Sequence, residues 1–147
     1  MAKQVRRKAQ EKKKNDFILW GVIVLVFLGA VAWFVAKGTA AGGLPHEISV
    51  SDALAKKDDG AFILDVRQPD EWNEFHIAGA TLIPLDQLPA RLNELPKDQQ
   101  IVVVCRTGHR SAEGRDILLN TGFTQVTSMA GGLTQWKTAG YPTVSGP

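Results

Sequence analysis

The sequence contains one cysteine, Cys105, among 147 residues. No disulfide can therefore form within the chain, and the fold has to be stabilised by a hydrophobic core. His46 and His76 have no cysteine or second histidine at ligand spacing, so no metal site is predicted. No cofactor is expected either.

Charged residues are missing altogether from residues 17–36, FILWGVIVLVFLGAVAWFVA. A helix of this length rises about 30 Å, which matches the hydrocarbon core of a bilayer. Trp20 and Trp33 stand near its two ends, where amphipathic rings favour the membrane interface. The run predicts one transmembrane helix.

Positive charge is concentrated before this run. Residues 1–16 hold seven basic and two acidic side chains, and since the whole chain is +2, the remainder is net negative. The positive-inside rule then predicts a cytoplasmic N-terminus and an extracytoplasmic domain in a single-pass protein of the cell membrane. Because the basic residues lie in the tail, no nucleic-acid partner is expected.

A cleaved signal peptide is the competing interpretation, because small residues follow the apolar run from Thr39 to Gly43. Secretory apolar regions are usually about 7–15 residues long, and this run is longer. We therefore favour an uncleaved signal-anchor. The predicted organisation is a basic tail (1–16), a transmembrane helix (17–36), a flexible linker (37–44) and one domain (45–147).

Strand-like and helix-like segments alternate through the domain. This order predicts an α/β fold with a mainly parallel five-stranded sheet and helices on both faces. The predicted strands are HEISV, AFILDV, ATLIPL, QIVVVC and TQVTSM. The predicted helices are DALAKK capped by Ser51, PDEWNEF, a helix or pair of turns interrupted at Pro89, RSAEGRDILLNTGF and LTQWKTAG.

Cys105 ends a predicted central strand and opens the turn CRTGHR before a helix. Ligands of parallel sheets bind beyond the carboxyl ends of the strands. The helix N-terminus, the side chains of Arg106 and Arg110, and the N–H groups of a turn containing Gly108 all favour a thiolate. A free cysteine is usually a small buried hydrophobe, but a structural role does not explain the flanking cationic turn.

The motif CRTGHR resembles the active-site loop of the rhodanese family of sulfurtransferases, in which the pattern is Cys-Arg-x-Gly-x-Arg or Thr. LDVRQPDEW, HIAGA and GGLTQW resemble further family segments and occur in the expected order across residues 45–144. Family members often place a glycine before the histidine of HIAGA. This chain has Phe75 there, which we expect to alter local packing only.

The resemblance implies a rhodanese-like fold and a thiosulfate sulfurtransferase activity. Cys105 would attack a sulfane donor such as thiosulfate, become a persulfide, and pass the sulfur to cyanide or a thiol. Arg106 and Arg110 would bind the anionic donor, although Arg106 could instead face solvent or a carboxylate. Thr107, Gly108 and His109 would supply backbone donors, with the side chains of Thr107 and His109 at the entrance.

Three further residues are candidates for supporting roles. Asp65 and Arg67 end the other buried strand at the same edge of the sheet, and a structural ion pair bracing the loop is favoured over a catalytic role. Trp136 either walls the pocket or is a core aromatic, which is the default.

Two other functions are compatible with the sequence. A phosphatase or arsenate reductase needs five residues between cysteine and arginine, whereas Arg110 follows Cys105 after four and Ser111 takes the required position. A non-catalytic, membrane-tethered module for sulfur relay or binding is the second alternative. Its protein partner and the physiological donor and acceptor are not indicated by the sequence.

The topology can be tested by proteolysis. Because the basic residues precede the apolar run, we expect protease added to intact cells or spheroplasts to digest residues 44–147. Digestion that occurs only after the membrane is breached would place the domain in the cytoplasm.

Overall fold

The structure, a computed structural model, describes residues 44–147. The predicted tail, the predicted transmembrane helix and all but the last residue of the linker lie outside the described residues. Between residues 44 and 147, no helix is long and apolar enough to cross a membrane.

The domain is built on five strands that pair in parallel, in the order β1-β5-β4-β2-β3. Runs of β-branched and aliphatic residues form the central strands, as expected for strands covered on both faces. The strands are β1 (Glu47–Ile48), β2 (Phe62–Asp65), β3 (Thr81–Leu82), β4 (Ile101–Val104) and β5 (Val126–Met129). The predicted five-stranded parallel sheet is confirmed.

Among the described residues, three α-helices connect strands, a fourth follows β5, and two single-turn 3-10 helices, Leu88–Ala90 and Leu92–Glu94, precede β4. The α-helices are α1 (Val50–Asp58), α2 (Pro69–Glu74), α3 (His109–Asn120) and α4 (Gly132–Thr138). Helix α3 ends as predicted, since Gly122 has a φ of +97° and the N–H of Phe123 donates to the carbonyl of Leu118.

The core has two halves, one on each face of the sheet. Along β4, Ile101 and Val103 pack with residues of α3 and the 3-10 segment, including Leu118 and Leu88. Val102 and Val104 point to the other face and pack with residues of α1 and α4. This alternation follows from the two-residue period of a strand, and it places helices on both faces as predicted.

Three predicted details differ from the structure. Ser49, not Ser51, caps α1, because its Oγ accepts from the N–H of Asp52 at 3.1 Å. Of the predicted helix or pair of turns around Pro89, the structure shows the pair of turns, but Pro89 lies inside the first 3-10 turn and not between the two. Its missing N–H costs no bond there. Helix α3 begins at His109, one residue earlier than predicted.

The strand register places the candidate site residues at the carboxyl edge of the sheet. Asp65 and Val104 are paired neighbours at the carboxyl ends of β2 and β4, so Cys105 and Arg67 follow these strands at the same edge of the sheet. Helices α2 and α3 both begin at this edge.

Candidate active site

Cys105 lies inside the loop that follows β4. Its side chain is 1 % exposed, and the backbone N–H of Gly108 donates to Sγ at 3.1 Å. Sγ also lies 3.6 Å from Oγ of Ser111, whose hydroxyl donates to the carbonyl of Gly108 at 2.8 Å. The loop therefore turns back on the sulfur and contacts it with a backbone donor and a hydroxyl.

Gly108 allows this turn. Its φ of +109° is in the region that residues with a Cβ rarely adopt, and it is the N-cap of α3. Because α3 begins at the next residue, the positive end of its dipole lies beside Sγ. The N–H groups of the turn and of the first helical residues thus favour negative charge at this position.

Helix α4 holds the loop from the opposite side. The N–H of Leu133 donates to the carbonyl of Cys105 at 2.8 Å, and that of Thr134 to the carbonyl of Arg106 at 3.0 Å. Two carbonyls of the loop are thereby directed at α4, and in a trans peptide the neighbouring N–H groups then point away from it. The close approach depends on Gly132, where a Cβ would collide with the Cys105 carbonyl oxygen.

The two arginines of the loop are bound to carboxylates of α2. Arg110 donates from Nη1 and Nη2 to the two oxygens of Glu71, at 2.6 and 2.8 Å. Arg106 donates from Nε to Glu71 at 3.1 Å and from Nη2 to Glu74 at 2.9 Å. Of the positions predicted for Arg106, the structure shows the neighbouring carboxylate. The cationic turn predicted from the sequence is therefore neutralised by α2.

Hydrogen bonds from Arg110 are the main reason why the pKa of Glu71 falls from 4.5 to about 2. The N–H of Gln68 and the charges of both arginines lower this pKa further, whereas partial burial opposes the shift. The same pair raises the pKa of Arg110 above its usual value. Glu71 is therefore ionised at any physiological pH.

Asp65 and Arg67 form a fully buried ion pair beneath α2. Arg67 donates from Nε and Nη2 to the Asp65 carboxylate at 2.7–3.0 Å. Its remaining donors bind the carbonyls of Glu71 at 3.0 Å and Phe75 at 2.7 Å. The pair is structural, as favoured from the sequence, but its hydrogen bonds hold the backbone of α2 and not the loop of Cys105.

Phe75 occupies its position without strain. Its φ of −172° is extended backbone that any residue adopts. Two cations lie over the ring, with Lys137 Nζ at 4.1 Å and Arg67 Cζ at 5.2 Å from its centroid. Phe75 thus packs beside α4, and the absence of an effect on the chemistry of the loop stays a prediction.

Trp136 is a core residue. Its side chain is buried with Ile77, Met129 and Leu133, and its Nε1 donates to the carbonyl of Pro142 at 3.1 Å. Of the two interpretations of Trp136, the structure shows the core aromatic and not a pocket wall.

A small cavity of about 180 Å³ opens on the outer side of the loop. It is lined by Glu47, Thr107, Gly108, His109 and Ala112. Thr107 and His109 therefore face open space, as expected for side chains at an entrance. Glu47 adds a carboxylate that the sequence did not point to.

Comparison with known proteins agrees with this geometry. Residues 49–139 match the family described as the rhodanese-like domain. The chain belongs to that family. A sulfurtransferase of Allochromatium vinosum is 34 % identical over 97 residues, which are 66 % of this chain and 90 % of the relative.

A thiosulfate sulfurtransferase, GlpE, of Stutzerimonas stutzeri is 32 % identical over 90 residues, 61 % of this chain and 83 % of the relative. Among solved structures, a rhodanese-related protein of Thermoplasma volcanium superposes with a TM-score of 0.63 at 31 % identity, covering 68 % of this chain and 98 % of that one. These matches show that the chain has the rhodanese-like fold and that its relatives include sulfurtransferases.

Four residues of this rhodanese-like site were not singled out as site residues from the sequence: Ser111, Glu71, Glu74 and Glu47. Ser111 could have been found as a small polar residue in the first turn of the helix after the loop. Glu71 was placed only within the predicted helix PDEWNEF, because nothing in the sequence links it to Arg110, 39 positions later.

Gly132→Ala tests the close approach of α4 to the loop. Both Gly132, with φ of +55°, and Gly60, with φ of +88°, would be strained by alanine at about 1–2 kcal/mol. Only at Gly132 does a Cβ also meet the loop, within 2.5 Å of the Arg106 carbonyl, whereas at Gly60 nothing lies within 4 Å. We expect Gly132→Ala to lower the melting temperature more than Gly60→Ala, and to lower alkylation of Cys105 by iodoacetamide. If the two substitutions had equal effects on the melting temperature and on alkylation, the close approach of α4 to the loop would be unimportant.

The contact between Glu71 and Arg110 should depend on pH. Since the folded-state pKa is depressed, its stabilisation is complete above about pH 4.5 and is lost as the pH falls through about 2. We expect Glu71→Gln to lower the free energy of unfolding by about 1–2 kcal/mol at pH 6. The difference between the two proteins in urea titrations should shrink steadily toward pH 2. A difference that does not change with pH would mean that the carboxylate's charge plays no part.

Proposed function

We propose that this chain is a sulfurtransferase that moves a sulfane sulfur from a small donor, such as thiosulfate, to a nucleophilic acceptor through a persulfide on Cys105. The observation that carries the proposal is the position of Sγ. It lies within a six-residue loop, 3.1 Å from the N–H of Gly108 and beside the first turn of α3. Such donors stabilise a sulfur anion before and after the transfer.

The first half-reaction exchanges one bond for another. The Cys105 thiolate attacks the outer sulfur of thiosulfate, the S–S bond of the donor breaks, and sulfite leaves with the electron pair. Cys105 then carries a persulfide whose terminal sulfur is anionic. Because the cysteine is almost fully buried, a donor has to present its reacting atom at its own end, as sulfane donors do.

The second half-reaction frees the enzyme. A cyanide or thiolate acceptor attacks the terminal sulfur, the persulfide bond breaks, and the Cys105 thiolate is regenerated. Ser111 fits a role in both steps, because its hydroxyl can turn its proton toward Sγ when the sulfur is an anion. The N–H of Gly108 needs no such movement.

A phosphatase or arsenate reductase is less consistent with this loop. In those enzymes, five residues separate the cysteine from an arginine that binds a tetrahedral oxyanion. Here Ser111 takes that position and is buried against Sγ. Arg110, one residue earlier, has both Nη atoms bound to Glu71.

A non-catalytic module for sulfur relay or binding is the remaining alternative. The thiol, its backbone donor and the adjacent helix start favour turnover over simple binding. Residues 17–36 would attach the domain to the membrane on its extracytoplasmic side, which stays a proposal from the sequence. The acceptor would then be a thiol, cyanide or protein of that compartment.

The proposal is tested by intact mass spectrometry of the full chain in mild detergent. Incubation with thiosulfate should add one sulfur atom, about 32 Da, which cyanide or dithiothreitol removes. Iodoacetamide should alkylate the untreated protein at neutral pH, since alkylation requires the thiolate.

Cys105→Ser is the matched control, because it replaces one atom and leaves the core unchanged. It should keep the melting temperature of the wild type and lose the adduct, the alkylation and the turnover of thiosulfate with cyanide. Wild-type protein that gives no adduct from any sulfane donor would favour the non-catalytic module.

A further inference from the structure

Carboxylates outnumber guanidinium groups around the loop of Cys105. The cations are Arg106 and Arg110, and three carboxylates face them or the cavity beside them: Glu71, Glu74 and Glu47. The buried pair of Asp65 and Arg67 adds no net charge. The side chains around the loop therefore carry one more negative than positive charge, although the loop motif alone predicts a net positive charge.

Glu71 is the central group of this arrangement. Its two oxygens bind both loop arginines, and its side chain is 15 % exposed. The fork of N–H groups with which Arg110 could grip a tetrahedral oxyanion is occupied by this carboxylate. The pKa of about 2 means that the negative charge is present whenever the enzyme works.

We infer that Glu71 is a specificity-determining residue that disfavours doubly charged sulfane donors relative to singly charged ones. This inference rests on the proposed sulfurtransferase activity and concerns the choice of donor. Glu71 repels an incoming anion and keeps Arg110 from binding it. The backbone donors of the loop remain available to any terminal sulfur.

The effect of Glu71 on two donors can be compared quantitatively, because the Coulomb energy of a donor in a fixed potential is proportional to the donor's charge. Thiosulfate carries two negative charges, and methanethiosulfonate, in which a methyl group replaces one oxyanion, carries one. Both transfer their outer sulfur to a thiolate, with sulfite or methanesulfinate as the leaving group. Removing the charge of Glu71 should therefore change the logarithm of kcat/KM twice as much for thiosulfate.

The experiment measures kcat/KM for both donors, with cyanide as the acceptor, in the full-length wild type and in Glu71→Gln. If the value for methanethiosulfonate rises about threefold, the value for thiosulfate should rise about tenfold. The decisive quantity is the donor ratio, which is kcat/KM for thiosulfate divided by kcat/KM for methanethiosulfonate. A change in the thiolate fraction of Cys105, or in the amount of folded enzyme, multiplies both values equally and cancels.

The salt dependence of the donor ratio is a second measurement. If the role of Glu71 were purely structural, salt would not change this ratio. The Debye length is about 10 Å at 0.1 M ionic strength and about 3 Å at 1 M. The raised ratio of Glu71→Gln should therefore fall back toward that of the wild type as salt is added.

Glu94→Gln is the matched control. Glu94 also receives two hydrogen bonds from one arginine, Arg91, at 2.7 and 2.8 Å, but both side chains lie on the 3-10 segment. The same change of charge there should leave the donor ratio unaltered. If Glu71→Gln does not fold, Glu74→Gln, which removes an exposed partner of Arg106, should raise the ratio by a smaller factor.

The outcomes separate this inference from the proposed function. No persulfide adduct from either donor would overturn the sulfurtransferase proposal itself. Adducts from both donors, with a ratio in Glu71→Gln equal to that of the wild type and of Glu94→Gln, would overturn the role of Glu71 alone.

Discussion

The buried ion pair of Asp65 and Arg67 determines where helix α2 lies. Removing two charges from water is costly unless every donor and acceptor finds a partner. Arg67 meets this requirement by donating to the carbonyl of Glu71 within α2 and to that of Phe75, the C-cap of the helix. Among residues 44–147, no buried side-chain nitrogen or oxygen lacks a hydrogen-bond partner. Satisfying one guanidinium thus fixes a helix to the edge of the sheet.

The position of α2 in turn determines the charge around Cys105. Helix α2 presents Glu71 and Glu74 to the arginines of the loop, while α4 binds the loop's carbonyls from the other side. Side chains and backbone are therefore held by different elements. What remains directed at Sγ is the N–H of Gly108 and the start of α3. Fixed dipoles of this kind stabilise a sulfur anion without reorganising during the reaction.

The sequence was sufficient for the parts of the fold that depend on local pattern. The apolar runs at Phe62–Asp65 and Ile101–Val104 are central strands, and the glycine at the end of α3 stops it as expected. The sequence did not show that Ser49 and not Ser51 caps α1, because both serines suit the role and only the geometry of the turn distinguishes them. The contacts between Glu71 and the loop could not be predicted, since they join residues 35 and 39 positions apart through the packing of α2. The predictions for residues 1–43 stay predictions.

The lone thiol limits what the site can do with a sulfur atom. With no second cysteine among the 147 residues, a persulfide on Cys105 cannot be resolved by an internal disulfide, so the acceptor has to come from outside the chain. If the acceptor enters through the cavity beside the loop, it passes Thr107, His109 and the carboxylate of Glu47. A thiolate or cyanide ion meets the same unfavourable charge as the donor. In the proposed reaction two anions approach in succession, so the neutralisation of Arg106 and Arg110 by α2 would bear on both half-reactions.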